Sequence, residues 1–178
     1  TLRINPLDGS MPGTEHVVRQ EFFLPFNTRI NTSMETIDIS FDLTSSDYTC
    51  SLGFEVFYNN KQMLNIDHVA SDTPVAFTLD AEDGDHELKF IMKNKIMDHT
   101  TVDENGQIVK DACLNISNFY IENVELGHTF LEQCKYHHDF NGSQEPIVDK
   151  FYGDMGCNGT IVFLFQSPVY LWILETIV

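Results

Sequence analysis

Ile37-Asp38-Ile39-Ser40-Phe41-Asp42-Leu43 sets apolar side chains at every second position and polar ones between them. A strand turns successive side chains to opposite faces, so this spacing predicts a strand with one covered and one wet face. Leu52, Phe54, Val56 and Tyr58 repeat the pattern. Asn59-Asn60 then supplies the left-handed-tolerant residues that a tight hairpin needs, with Met63 to Val69 as the predicted return strand. Val75, Phe77 and Leu79 alternate again. After the acidic turn Asp80-Ala-Glu-Asp-Gly-Asp85, His86 to Met92 places Leu88, Phe90 and Met92 on one face. Asp98 to Asp111 reads as a polar excursion around the turn signal Asn105-Gly106. A strand resumes at Ala112 and runs toward Leu126. It carries a bulge, because Leu114 and Ile116 fall out of phase with Phe119 and Ile121.

Roughly seven short strands separated by turn signals predict an all-β fold. The predicted form is an antiparallel β-sandwich of the jelly-roll or carbohydrate-binding-module type, with a short C-terminal helix. Residues 1–16, with Pro6, Gly9, Pro12 and Gly13, read as an N-terminal arm. Residues 17–126 form the sandwich, regular structure starting at Val17 and showing no helical period. Residues 127–178 are an extension that completes the same domain. Within it, Gly127 to Pro146 reads as irregular. Thr160 to Gln166 is apolar on both faces, predicting a central or doubly covered strand. Ser167-Pro168 reads as an N-cap followed by a first-turn proline, opening a helix over Val169 to Thr176. That helix is apolar nearly all round, so it must be buried against something: its own sandwich, or a neighbouring subunit. Tyr170, Trp172 and Leu174 are its candidate interface residues.

The net charge of −17 restricts the partners. The ten Lys and Arg are scattered, and nucleic-acid binding needs clustered cations to displace counterions from phosphates. Nucleic acid and anionic membranes are therefore excluded as partners. A basic protein, a neutral sugar and divalent cations stay open, beside simple solubility or adaptation to salt. No segment reaches the ~18 apolar residues of a membrane span, and Thr1 to Asp8 does not read as a signal peptide. The expected site of synthesis is a cytoplasm. Cys50, Cys113, Cys134 and Cys157 are then expected as free thiols, and the Asn-x-Ser/Thr triplets at Asn31, Asn115, Asn141 and Asn158 carry no glycosylation reading.

No nucleophile elbow, phosphate loop, dinucleotide fingerprint or zinc-protease motif is present, so no catalytic residue is assigned; a hydrolase with paired carboxylates is the third functional reading. Cys134, His137, His138 and Cys157 make the one thiol and imidazole grouping, without the second paired knuckle of a structural zinc site. Calcium is the candidate cofactor, since converging acidic loops supply the oxygens that a hard cation needs. Its candidate ligands are Asp80, Asp83 and Asp85 in one turn, with Asp98 and Asp103 in another; the alternative is solvated hairpin acids. Among tyrosines that could stack on a sugar, Tyr58, Tyr120 and Tyr136 are the candidates.

Asp85-His-Glu-Leu-Lys-Phe-Ile-Met-Lys-Asn94, Thr100 to Asp111 and Leu114 to Leu126 resemble a group of small proteins of tailed phages, T4-like marine phages and cyanophages among them. Gly156 to Thr160 and Ser167 to Glu175 are similar to the same group's C-terminus. The resemblance covers about half the chain and implies a phage origin more firmly than a role; the first functional reading is a virion component that contacts other virion proteins and itself. The strand order from Glu87 to Leu126 is also similar to the closing strands of calcium-dependent xylan-binding modules, which implies a β-sandwich. The Asn-Asp metal pair of those modules corresponds here to Asn94-Lys95, a lysine standing where they place a carboxylate. The expected function is a non-catalytic virion structural or accessory protein; the alternative is a glycan-binding module for host-surface attachment.

Overall fold

The computed structural model describes residues 33–177. The arm expected over 1–16 and the start of regular structure expected at Val17 lie outside them. In chain order the strands are β1 (Met34–Ser45), β2 (Gly53–Tyr58), β3 (Lys61–Ile66), β4 (Thr73–Glu82), β5 (Gly84–Lys93), β6 (Thr100–Val102), β7 (Ile108–Asp111), β8 (Leu114–Ile121) and β9 (Val124–Glu125). A short helix α1 (His128–Gln133) follows. Then come β10 (Lys135–His138), β11 (Ile147–Lys150), β12 (Asp154–Met155), β13 (Gly159–Ser167) and the helix α2 (Val169–Ile177).

One antiparallel sheet runs β12-β8-β1-β4, with β9 also paired to β8; the other runs β11-β10-β13-β5-β2-β3. Their inner faces pack into a sandwich. Ile37, Ile39, Phe41 and Leu43 of β1 are all buried, and the polar residues between them face out. Phe41 and Phe119 of the first sheet meet Phe54, Phe90 and Phe163 of the second, with centroids 5.4 to 6.1 Å apart across the sheets. Each phenyl ring removed from water contributes roughly 1.5–3 kcal/mol, so this cluster supplies a substantial part of the packing energy.

The Asn59-Asn60 hairpin forms as expected, both residues in the left-handed region at φ 43° and 68°. The bulge in β8 also forms. Asn118 sits at φ 50° and its amide donates to Asp42 Oδ2 at 2.7 Å, where the register of β1 with β8 shifts.

Three expectations need correction. The strand predicted from Ala112 to Leu126 folds back at Glu122-Asn123 (φ 52° and 62°) into the β8–β9 hairpin. Left-handed backbone is costly for a glutamate, and here its carboxylate accepts the Asp38 N–H at 2.6 Å, tying the turn to β1. The stretch 127–146 is not irregular throughout, since it holds α1 and β10. Phe130 of α1 stacks on Phe119 at 4.0 Å and 9°, and a single apolar anchor creates no readable period. β13 is central, the first of the two alternatives expected for it, and its outer face is open, with Leu164 56% exposed. The acidic turn is shorter than it reads: Asp80 and Glu82 belong to β4 and Asp85 to β5, and the chain changes sheets at Asp83-Gly84.

Lys95 is buried below the β6–β7 ribbon. Its ammonium donates to Asp111 Oδ1 at 2.6 Å and to the Gly156 carbonyl at 2.5 Å, and Thr100 Oγ1 donates to the same carboxylate oxygen. Asn158 closes the arrangement, bonding both the N–H and the carbonyl of Lys95 at 2.8 Å. The ribbon is thereby fixed to the sandwich end by a cation that the chain itself supplies. Burial works against the charge of Asp111. Hydrogen bonds from Lys95 and Thr100 outweigh it and hold the carboxyl below its ordinary value.

Candidate functional site

α2 begins where β13 ends. Ser167 does not cap it in the expected way: its hydroxyl donates to Glu35 Oε2 at 2.6 Å. The same Glu35 oxygen accepts the Val169 N–H at 2.9 Å, so a carboxylate from β1 satisfies one of the helix's unpaired donors. Val169, Trp172 and Ile173 turn inward. Trp172 meets Phe163 and Phe165 edge-on at 5.8 and 6.2 Å. Of the three expected interface residues, Trp172 is therefore core, 9% exposed, and belongs to the chain's own sandwich.

Tyr170 and Leu174 face solvent. With them stand Leu171 and Ile177, the four being 48 to 62% exposed. Positions 170, 171, 174 and 177 fall on one stripe of a 3.6-residue helix. Glu175 is the single side chain in α2 that is charged at neutral pH. Beside the helix, a groove of about 480 Å³ is lined by Leu164, Trp172 and Thr176, among others. Tyr170 anchors one end of the stripe to the first sheet by donating to Glu122 Oε2 at 3.2 Å, and burial followed by this bond pushes its phenol above the ordinary value.

The three candidate sugar-stacking tyrosines separate. Tyr58 is buried, its hydroxyl 2.9 Å from His86 Nδ1. Tyr136 is buried as well; its hydroxyl donates to the Cys157 carbonyl and accepts the Cys157 N–H at 3.1 Å. Neither offers a ring face to a ligand, because each is an inward residue of its strand. Tyr120 is half-buried and lines an open groove on the outer face of the first sheet.

The candidate calcium ligands do not converge. Asp80 accepts from Thr36 Oγ1, Asp83 from Ser33 Oγ and Asp85 from Gln166 Nε2, three different neighbours on diverging segments. Asp103 caps its own turn, accepting the N–H groups of Asn105 and Gln107 at 2.8 Å, which holds its carboxyl below the ordinary value. Asp98 lies apart from it, on the 3-10 turn Met97–His99. Among the described residues no three His, Cys, Asp or Glu side chains are placed to hold one metal ion. The thiol and imidazole grouping separates for a simple reason: His137 and His138 are adjacent on β10 and point to opposite faces. His138 turns inward and puts Nε2 3.1 Å from Asp149 Oδ2. Burial pushes the Cys134 thiol far up, and the four cysteines are unbridged.

Two features escaped the reading of the sequence. Glu35 as a helix cap lies 134 positions from its partner, and no local signal announces it. The groove beside Tyr120 depends on cross-strand register, which alternation alone does not fix. Among the described residues no helix is long and apolar enough to cross a membrane. Comparison with family models, with curated proteins and with solved structures found no match.

Proposed function

We propose that this chain is a non-catalytic assembly protein, a structural or accessory component of a phage virion, and that it self-associates through α2. The observation that carries the reading is the exposed apolar stripe Tyr170, Leu171, Leu174 and Ile177. A charge of −17 opposes contact between copies over most of the surface. The stripe is nearly free of that charge, so two copies can meet there with helix against helix, removing apolar surface from water without bringing carboxylates together. A second copy is thus the occupant that fits the patch: it supplies an equally apolar and equally uncharged face. The assignment to a virion rests on the resemblance of Asp85–Asn94, Thr100–Asp111 and Leu114–Leu126 to tailed-phage proteins.

Mass spectrometry of purified phage particles tests the reading. The protein is expected at a copy number typical of a structural component, and replacing Leu171 and Leu174 by Asp is expected to remove it from the particles. Particles that lack the wild-type protein contradict the proposal.

A further inference from the structure

The two sheets present opposite chemistry to solvent. The outer face of the second sheet carries lysines paired with acids: Lys93 with Glu55 at 2.7 Å and Lys89 with Glu87 at 2.6 Å. None of the five strands of the first sheet contains a Lys or Arg. Its outer face is also indented. Register sets Ala76 of β4, Ser40 of β1 and Tyr120 of β8 in one cross-strand row. Two small side chains form a low floor and the tyrosine stands as a step beside it. Grooves of about 510 and 370 Å³ share Ser40 and Ala76 and extend along β1 from Asp42 to Asp38, a length of about 13 Å.

The polar groups around this floor suit hydroxyls. Asp42 Oδ2 accepts from Asn118 at 2.7 Å, and Asp38 Oδ1 accepts from Thr78 Oγ1 at 2.9 Å. Among the described residues each carboxylate has a further oxygen that accepts no hydrogen bond, and Asn123 lines the groove as well. The bulge at Asn118 bends β8 beside the groove, a distortion that commonly re-aims side chains at binding sites. Among the described residues carboxylates line this face and no Lys or Arg does, which disfavours phosphate, sulfate and acidic sugars. A pyranose ring fits instead: it offers a C–H face to the tyrosine ring and hydroxyls that donate to carboxylates and accept from amides.

We propose that the outer face of the first sheet binds a neutral oligosaccharide, with Tyr120 as the stacking wall and Asp42, Asn118 and Asp38 as the hydrogen-bonding groups. This site shares no lining residue with the helical stripe, and the proposal does not rest on self-association.

Titration calorimetry with cello-, xylo-, manno-, malto- and chito-hexaose tests the proposal, using the wild-type chain and the variants Tyr120→Ala, Ala76→Trp and Leu174→Asp. Ala76 is exposed, so its indole fills the groove without entering the core. At least one sugar is expected to bind saturably. Tyr120→Ala should weaken that binding about tenfold and Ala76→Trp should abolish it, while Leu174→Asp leaves it unchanged. Failure of all five sugars to bind would overturn the proposal. So would full binding by folded Ala76→Trp, or binding of oligolysine to this face in place of any sugar.

Discussion

Glu35 and Val169 are joined by a hydrogen bond of 2.9 Å, from the first N–H of α2 to a carboxylate oxygen of β1. The contact links strand and helix across 134 residues of sequence. A carboxylate at a helix N-terminus satisfies an unpaired donor and faces the positive end of the helix dipole.

Replacing Glu35 by Ala removes this cap and leaves the buried Ser167 hydroxyl without its acceptor. The expected loss is about 1–2 kcal/mol in urea denaturation. Amide exchange should accelerate over 169–173 while β5 and β13 stay protected. Unchanged exchange in α2 would mean that the helix is held by the packing of Trp172 alone.

Lys95 is the cation that fixes the ribbon, and its side chain is 1% exposed. Lys95→Met keeps most of the stem and removes the ammonium, leaving Asp111 and the Gly156 carbonyl without their partner. Breaking such a pair costs about 3–5 kcal/mol. Denaturation midpoints of wild type and variant measure this directly, and a loss below about 1 kcal/mol would assign the pair no structural role.

The same pair sets a pH dependence. The carboxyl of Asp111 is held below its ordinary value in the folded state, so its contribution to stability is fully present above the unfolded carboxylate value, near 4. It is lost as pH falls through the lower, folded value. Asp111→Asn is expected to be less stable at neutral pH and to lose stability less steeply than wild type between about pH 5 and 2. Parallel acid-unfolding curves would contradict that.

Phe130 is the core's contribution from α1, fully enclosed and stacked on Phe119 at 4.0 Å. Truncation to Ala leaves a cavity between both sheets and the helix. The expected cost is about 3–5 kcal/mol in equilibrium unfolding, against under about 0.5 kcal/mol for Glu132→Ala on the exposed side of the same helix.

Phe130 also marks where sequence reading reaches its limit. Strands such as β1 and β5 are legible because apolar residues at every second position impose a face before any partner is known. The bulge at Asn118 is legible because the phase visibly breaks. Phe130 has no periodic companions, so its helix reads as loop. Tyr58 falls in the same alternation as Phe54 and Val56, which already puts it on the covered face; Tyr136 lies on the short strand β10, where no such run announces it, and its burial follows from the fold and from the bonds of its hydroxyl to Cys157. Asp80 and Asp85 are five positions apart in the chain but belong to different sheets. For the helix α2, sequence established that it must be covered; the division between inward Trp172 and outward Leu174 required the packing against Phe163 and Phe165.

Sedimentation velocity over a range of concentrations, comparing wild type with Leu171→Asp/Leu174→Asp, decides whether α2 joins copies of this chain. Both positions are more than half exposed, so the substitutions should leave the melting temperature nearly unchanged. Wild type is expected to sediment as a dimer or larger species and the double variant as a monomer. A wild-type chain that stays monomeric at every concentration, or a double variant that associates equally well, would contradict an assembly role for the helix.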